Sequence, residues 1–145
     1  MLDLTLAVVH HLTIFALFGV LVAELILLRP GMTAGDLAKV GKIDLWYGIL
    51  AGLILVFGFS RAVFAAKGWA YYSHNAFFWV KIGTFVLIGL LSVPPTIAYI
   101  RWRRAGVEPT ALQVASVRRL LWWETALFAA LPACAAAMAR GYGAF

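Results

Sequence analysis

The chain has a single cysteine, Cys134, so no disulfide can form within it. Acid is scarce: six Asp and Glu stand against twelve Lys and Arg, and charged residues fill only 12% of 145 positions. Histidine occurs three times, as His10, His11 and His74. No tandem repeat is visible. No polar stretch is long enough for a separate soluble domain. The scarcity of charge also changes the meaning of the net charge of +6. The basic residues flank apolar runs rather than covering a surface, so they are no sign of nucleic-acid binding.

What fills the chain instead is apolar sequence. Hydrophobic residues make up 64% of it, and mean hydropathy is +0.94. A soluble domain is closer to half apolar. Four runs stand out: Leu4–Leu28, Asp44–Ala66, Ala76–Ile100 and Val117–Ala139. Each exceeds the ~20 helical residues that cross a hydrocarbon core of about 30 Å. Within lipid the backbone must satisfy its own hydrogen bonds, which leaves helices or a closed barrel. The runs lack strict alternation, so they predict helices. The expected fold is all-α: an integral-membrane four-helix bundle, residues 1–145 forming one transmembrane domain.

Loop charge predicts orientation. Arg29, Lys39, Lys42, Arg101, Arg103, Arg104, Arg118 and Arg119 lie in or beside the first and third loops. Lys67 and Arg140 stand alone on the other side. The positive-inside rule then puts both chain ends on the outer, periplasmic side of a bacterial inner membrane. The first run is not expected to be a removable signal peptide, because it begins acidic and is too long for one. The basic loops would attract anionic lipid headgroups. Trp69, Tyr71, Tyr72 and Trp79 are expected at the outer interface. Trp46, Trp102, Trp122 and Trp123 are expected at the inner one.

Local signals place the ends and breaks. Arg29-Pro30-Gly31 stops the first helix. The second is expected to start near Asp44, after a short amphipathic turn containing Thr33-Ala34-Gly35-Asp36. Ser73 or Asn75 would cap the third. Pro94-Pro95 and Pro132 should kink the third and fourth helices. Gly48 with Gly52, and Ala126, Ala130, Ala133 with Ala137, are small-residue faces suited to close helix approach.

Charges inside lipid are costly and call for a role. His10 and His11 lie roughly 9–12 Å below the start of the first helix, at ~1.5 Å per residue. Arg61 and Lys81 lie about five residues below the outer ends of the second and third spans, on the same rise. With His74 they occupy the outer third of the bilayer. Lys81 leans outward and can snorkel, whereas Arg61 leans inward and needs a partner. Histidines and cations at one depth are what a b-type haem requires: imidazole for the iron, Arg or Lys for the propionates. His10 or His11 would ligate from one side and His74 from the other. The two adjacent histidines differ by about 100° of helix rotation, so at most one of them points at the core centre. Each of these residues also has a plain structural role open to it: a histidine as an interhelical hydrogen-bond partner, His74 at headgroup level, the two cations snorkelling.

Glu24, Asp44 and Glu124 cluster at the inner end, where arginines and lysines are close in depth. Ion pairs that lock helix ends together are the expected arrangement, and a proton path the alternative. Glu24 sits 14 residues after His10, on nearly the same face.

Three stretches belong together: His10-His11-Leu12 with Glu24-Leu25 and Leu28-Arg29-Pro30; Tyr71-Tyr72-Ser73-His74-Asn75 with Phe78-Trp79-Val80-Lys81; and Ser92-Val93-Pro94-Pro95-Thr96. As a set they resemble a family of small, functionally uncharacterised bacterial inner-membrane proteins with four spans. More distantly the layout is similar to HemJ-type protoporphyrinogen oxidases and copper-resistance D-type membrane domains. HemJ proteins bind haem b and carry a histidine in the first helix and a lysine early in the third. His10 or His11 and Lys81 hold comparable places. The chain lacks the second histidine that HemJ has before that lysine. It has Phe78-Trp79-Val80 there, with His74 further upstream. The resemblance therefore implies haem binding more than oxidase activity.

Three functions are compatible with this pattern. The first is a haem b protein in electron transfer or redox chemistry, using His10, His11, Arg61, His74 and Lys81. The second is a non-catalytic subunit or lipid-binding partner of a larger membrane complex or homo-oligomer. The third is a small transporter or metal-binding module built on His10, His11 and Glu24.

Overall fold

A computed structural model describes residues 1–64 and 67–145. The chain forms α1 (Leu2–Leu27), α2 (Ala34–Phe64), α3 (Gly68–Ser73), α4 (Ala76–Ala105), α5 (Ala111–Phe128) and α6 (Ala130–Ala139). α5 and α6 together make one span, so four helical segments are long and apolar enough to cross a membrane. The expected end of the second span at Ala66 lies outside the described residues.

The spans form a ring. α1 packs on α2 and α5, and α4 packs on α2, α5 and α6. α1 is therefore diagonal to α4, and α2 to α5. Both chain termini and α3 lie at one end, the terminal end. The α1–α2 and α4–α5 turns lie at the other, the basic end. Among the described residues the buried core runs along the axis through Leu17, Leu21, Ile54, Ile88 and Leu121.

α2 starts ten residues earlier than expected. Thr33 and Asp36 cap it reciprocally: Asp36 N–H donates to Thr33 Oγ1 and Thr33 N–H to Asp36 Oδ2, each at 3.2 Å. This is a capping box that the mixed polarity of residues 34–43 hides. Asp44 is consequently inside the helix and does not serve its N-terminus. At the other end of the chain, α5 has the same device in Thr110 and Gln113.

Asn75, rather than Ser73, caps α4. Its Oδ1 accepts from Phe77 N–H and Phe78 N–H at 3.0 and 3.3 Å. Its Nδ2 donates to Tyr142 O at 2.9 Å, which ties the C-terminal segment to the start of α4. α4 runs helical through Pro94-Pro95 to Ala105 and ends at Gly106, whose φ of 62° is left-handed. Pro132 does break its helix. A proline ring clashes with the carbonyl four residues back, and the α5–α6 break falls at Ala129.

Two packing expectations are corrected. Gly48 and Gly52 face away from the chain, with nothing within 4 Å of a Cβ added at either. The buried stripe of α5–α6 is not the alanine face but Val117, Leu121, Glu124, Phe128, Leu131, Cys134 and Met138. Trp46, Trp69, Trp79, Trp122 and Trp123 are exposed as interface residues would be, but Trp102 is buried against Tyr99, ring centroids 5.9 Å apart.

Candidate functional site

The four spans line a partly open cavity of about 770 Å³ toward the terminal end. Volumes of about 300–1,000 Å³ are usual for small-molecule sites. Six phenylalanines line it: Phe15 and Phe18 from α1, Phe59 from α2, Phe78 and Phe85 from α4, and Phe128 from α5. Its ionisable lining is His10, His11, Arg61 and Lys81. Four of the five expected site residues thus converge on one space.

His10 is the histidine that faces the core. It is only 4% exposed. Its Nδ1 is buried with no hydrogen-bond partner among the described residues. The ring fits because α2 has glycine opposite it. A Cβ on Gly58 would stand 3.2 Å from His10 Cε1. His11 is exposed, and its Nδ1 lies 2.6 Å from its own helix's Ala7 O. The rings of His10 and His11 are edge-to-face at 6.0 Å.

Arg61 lines the cavity from α2. Its Nε is buried with no partner among the described residues. Lys81 is half-buried and borders the same cavity instead of standing free in the headgroup layer.

His74 does not join them. Its Nδ1 lies 2.9 Å from Ala70 O and 3.1 Å from Ser73 Oγ, at the exposed end of α3. Its ring leans on Phe145, centroids 6.1 Å apart. The short helix α3, unforeseen in the sequence, folds His74 back on its own turn. The expected pairing of His74 with His10 or His11 across one ligand is therefore not brought together. Among the described residues no three His, Cys, Asp or Glu side chains are grouped to hold a metal ion.

The acidic residues at the basic end form a second polar cluster. Glu24, Glu124 and the phenol-bearing Tyr99 are at most 2% exposed. Tyr47 Oη donates to Glu124 Oε2 at 2.9 Å, across the diagonal of the ring. Thr96 Oγ1 donates to Asp44 Oδ1 at 2.7 Å. The expected ion pairs are absent: among the described residues the only salt bridges join Asp36 to Arg29 and Lys39 at the surface. Arg118 points elsewhere, donating through Nη1 to the carbonyls of Leu25 and, at 2.6 Å, Leu28. It caps the carbonyl end of α1, which has no basic residue of its own. Depth along the membrane suggested pairing, but the azimuth of each side chain denies it.

Sequence reasoning missed Gly58, Tyr47, Tyr99 and Thr96. Gly58 is three residues before Arg61 and Tyr47 three after Asp44, each on the same helix face as its neighbour. That spacing was a usable signal.

The chain belongs to the family described as "Predicted membrane protein (DUF2214)", whose model matches residues 2–143. No match was found among curated proteins or among solved structures.

Proposed function

We propose that this DUF2214 member binds a b-type haem in the cavity at its terminal end and serves electron transfer or redox chemistry. The carrying observation is the buried, unpartnered imidazole of His10 bordering a phenylalanine-lined space that also meets Arg61 and Lys81. Imidazole is a haem-iron ligand, aromatic rings suit a porphyrin face, and guanidinium and ammonium suit propionates. His10 would hold the iron, and Arg61 and Lys81 the carboxylates. His11 borders the same space and is the alternative ligand; His74 is not among its lining residues. Bound haem would supply a one-electron centre within the hydrocarbon layer. The protein's share is to hold it by one histidine, to neutralise its acidic edge, and to exclude water with six aromatic rings.

The membrane is proposed to be the bacterial inner membrane. The basic loops would face the cytoplasm, which puts the haem cavity in the outer leaflet. Purified protein, expressed with haem supplementation, tests the proposal by its absorption spectrum. A Soret band lost in H10A and retained in H74A supports it. No Soret band in the wild-type protein removes it.

A second reading has its own observation. Gly48 and Gly52 are exposed on α2 with open space around them. Such a small-residue face suits a partner helix, from a second copy or from a larger membrane complex. A Gly48→Leu variant that leaves the size of the gently solubilised particle unchanged would remove it.

A further inference from the structure

The acids at the basic end remain without a role in haem binding. Their hydrogen bonding is unbalanced. Among the described residues, Glu24 Oε1 and Glu124 Oε1 are buried acceptors with no hydrogen-bond donor in place, and the Tyr99 hydroxyl is buried without a hydrogen-bonded partner. The Tyr99 hydroxyl lies beside the Glu24 carboxyl, close enough to interact with it but outside good hydrogen-bond geometry. Three ionised carboxylates would offer up to about four acceptor sites each. Against these, the side-chain donors among the described residues are Tyr47 and Thr96, with the Tyr99 hydroxyl beside Glu24, three for the whole cluster.

Among the described residues no cation pairs with these acids. From α1 the cluster receives Glu24; from α2, Asp44 and Tyr47; from α4, Tyr99 and Thr96; from α5, Glu124. The nearby cations are engaged or outside. Arg118 on α5 is held by α1 carbonyls, Arg103 on α4 lies over Gly41, and Arg29 and Lys39 reach Asp36. Buried negative charge without a counter-charge is costly enough that such a group is normally neutralised. A multidentate metal ion does not fit, since no three acidic or histidine ligands converge among the described residues. A proton does. It turns one carboxyl oxygen from an unsatisfied acceptor into a donor, which corrects both the charge and the hydrogen-bond imbalance.

We infer that Glu24, Asp44 and Glu124, with Tyr47 and Tyr99, form a proton-binding cluster in which at least one carboxyl group carries a proton at neutral pH. The site opens toward the basic end, where Asp44 is only half-buried. A proton lost from a carboxyl oxygen passes there to water, and one from water replaces it. Toward the terminal end Leu17, Leu21, Ile88 and Leu121, each at most 1% exposed, close the axis. The site therefore exchanges with one side of the membrane only. It stands independently of the haem reading.

Infrared spectroscopy of the full-length protein in lipid tests this directly. At neutral pH the wild type should show the carbonyl stretch of a protonated carboxylic acid, shifted in D₂O. The band should lose intensity in E24Q and in E124Q. In Tyr47→Phe it should move, because the hydroxyl that contacts Glu124 is gone. Replacing sodium by choline should leave it unchanged. Absence of the band in the wild type at neutral pH overturns the inference. So does a band that disappears when sodium is added, which would make the cluster an alkali-cation site. The wild-type spectrum decides even if a variant fails to fold.

Discussion

Gly58→Ala separates binding from stability. Position 58 is mid-helix in α2, where Gly→Ala gains about 0.8–1 kcal/mol of helix propensity. Opposing this, the new methyl would stand 3.2 Å from His10 Cε1, so the ring must yield by a few tenths of an ångström. Inserting a methyl into a packed site costs about 1–3 kcal/mol when nothing gives. Here the ring borders a cavity and can move, so the lower end applies. The two terms nearly cancel, and global stability should change by less than ~1 kcal/mol. The displaced imidazole bears the cost when a ligand binds. A strain of about 1 kcal/mol weakens that ligand roughly fivefold. The assay is haem titration of the solubilised protein by Soret absorbance, paired with denaturation in mixed micelles. Unchanged haem affinity in G58A would refute the placement of His10 at the ligand. A loss of several kcal/mol of stability would refute the claim that the ring has room to move.

Further outcomes follow from the same geometry. Arg61→Met should weaken haem retention more than Lys81→Met, because Arg61 Nε is the fully buried, unpartnered donor; competitive transfer of haem to apomyoglobin would measure both. Tyr47→Phe leaves Glu124 Oε2 without its donor, and should cost about 1–2 kcal/mol, between the ~0.6 average for membrane hydrogen bonds and the penalty for an orphaned buried acceptor. Denaturation of the solubilised protein checks it. Asn75→Ala removes the α4 cap and the bond to Tyr142 together, costing about 1–2 kcal/mol. Hydrogen exchange should then rise in residues 140–145 before it rises in the bundle.

The spans were legible because lipid imposes a coarse rule that apolar length alone satisfies. The Asn75 cap and the Pro132 break were legible too, since each acts through its own backbone. That at most one of His10 and His11 could face the core centre followed from helix rotation. Which one did not, because the answer depends on a glycine in another helix. The gathering of His10, His11, Arg61 and Lys81 was legible by depth. His74 was misplaced because α3 turns it onto Ala70 O, a local hydrogen bond that depth does not register. The acids failed for a related reason. Arg118 shares their depth, yet its guanidinium satisfies the carbonyl end of α1 instead. The early start of α2 was hidden because the Thr33–Asp36 capping box sits before a stretch of mixed polarity.

The central claim is that the phenylalanine-lined cavity holds haem through His10. A reduced-minus-oxidised absorption spectrum of the purified protein tests it most directly. The account predicts a b-type difference spectrum in the wild type, abolished by His10→Ala and unaffected by His74→Ala. A featureless difference spectrum after haem supplementation, or a b-type spectrum that survives His10→Ala but not His74→Ala, would contradict it.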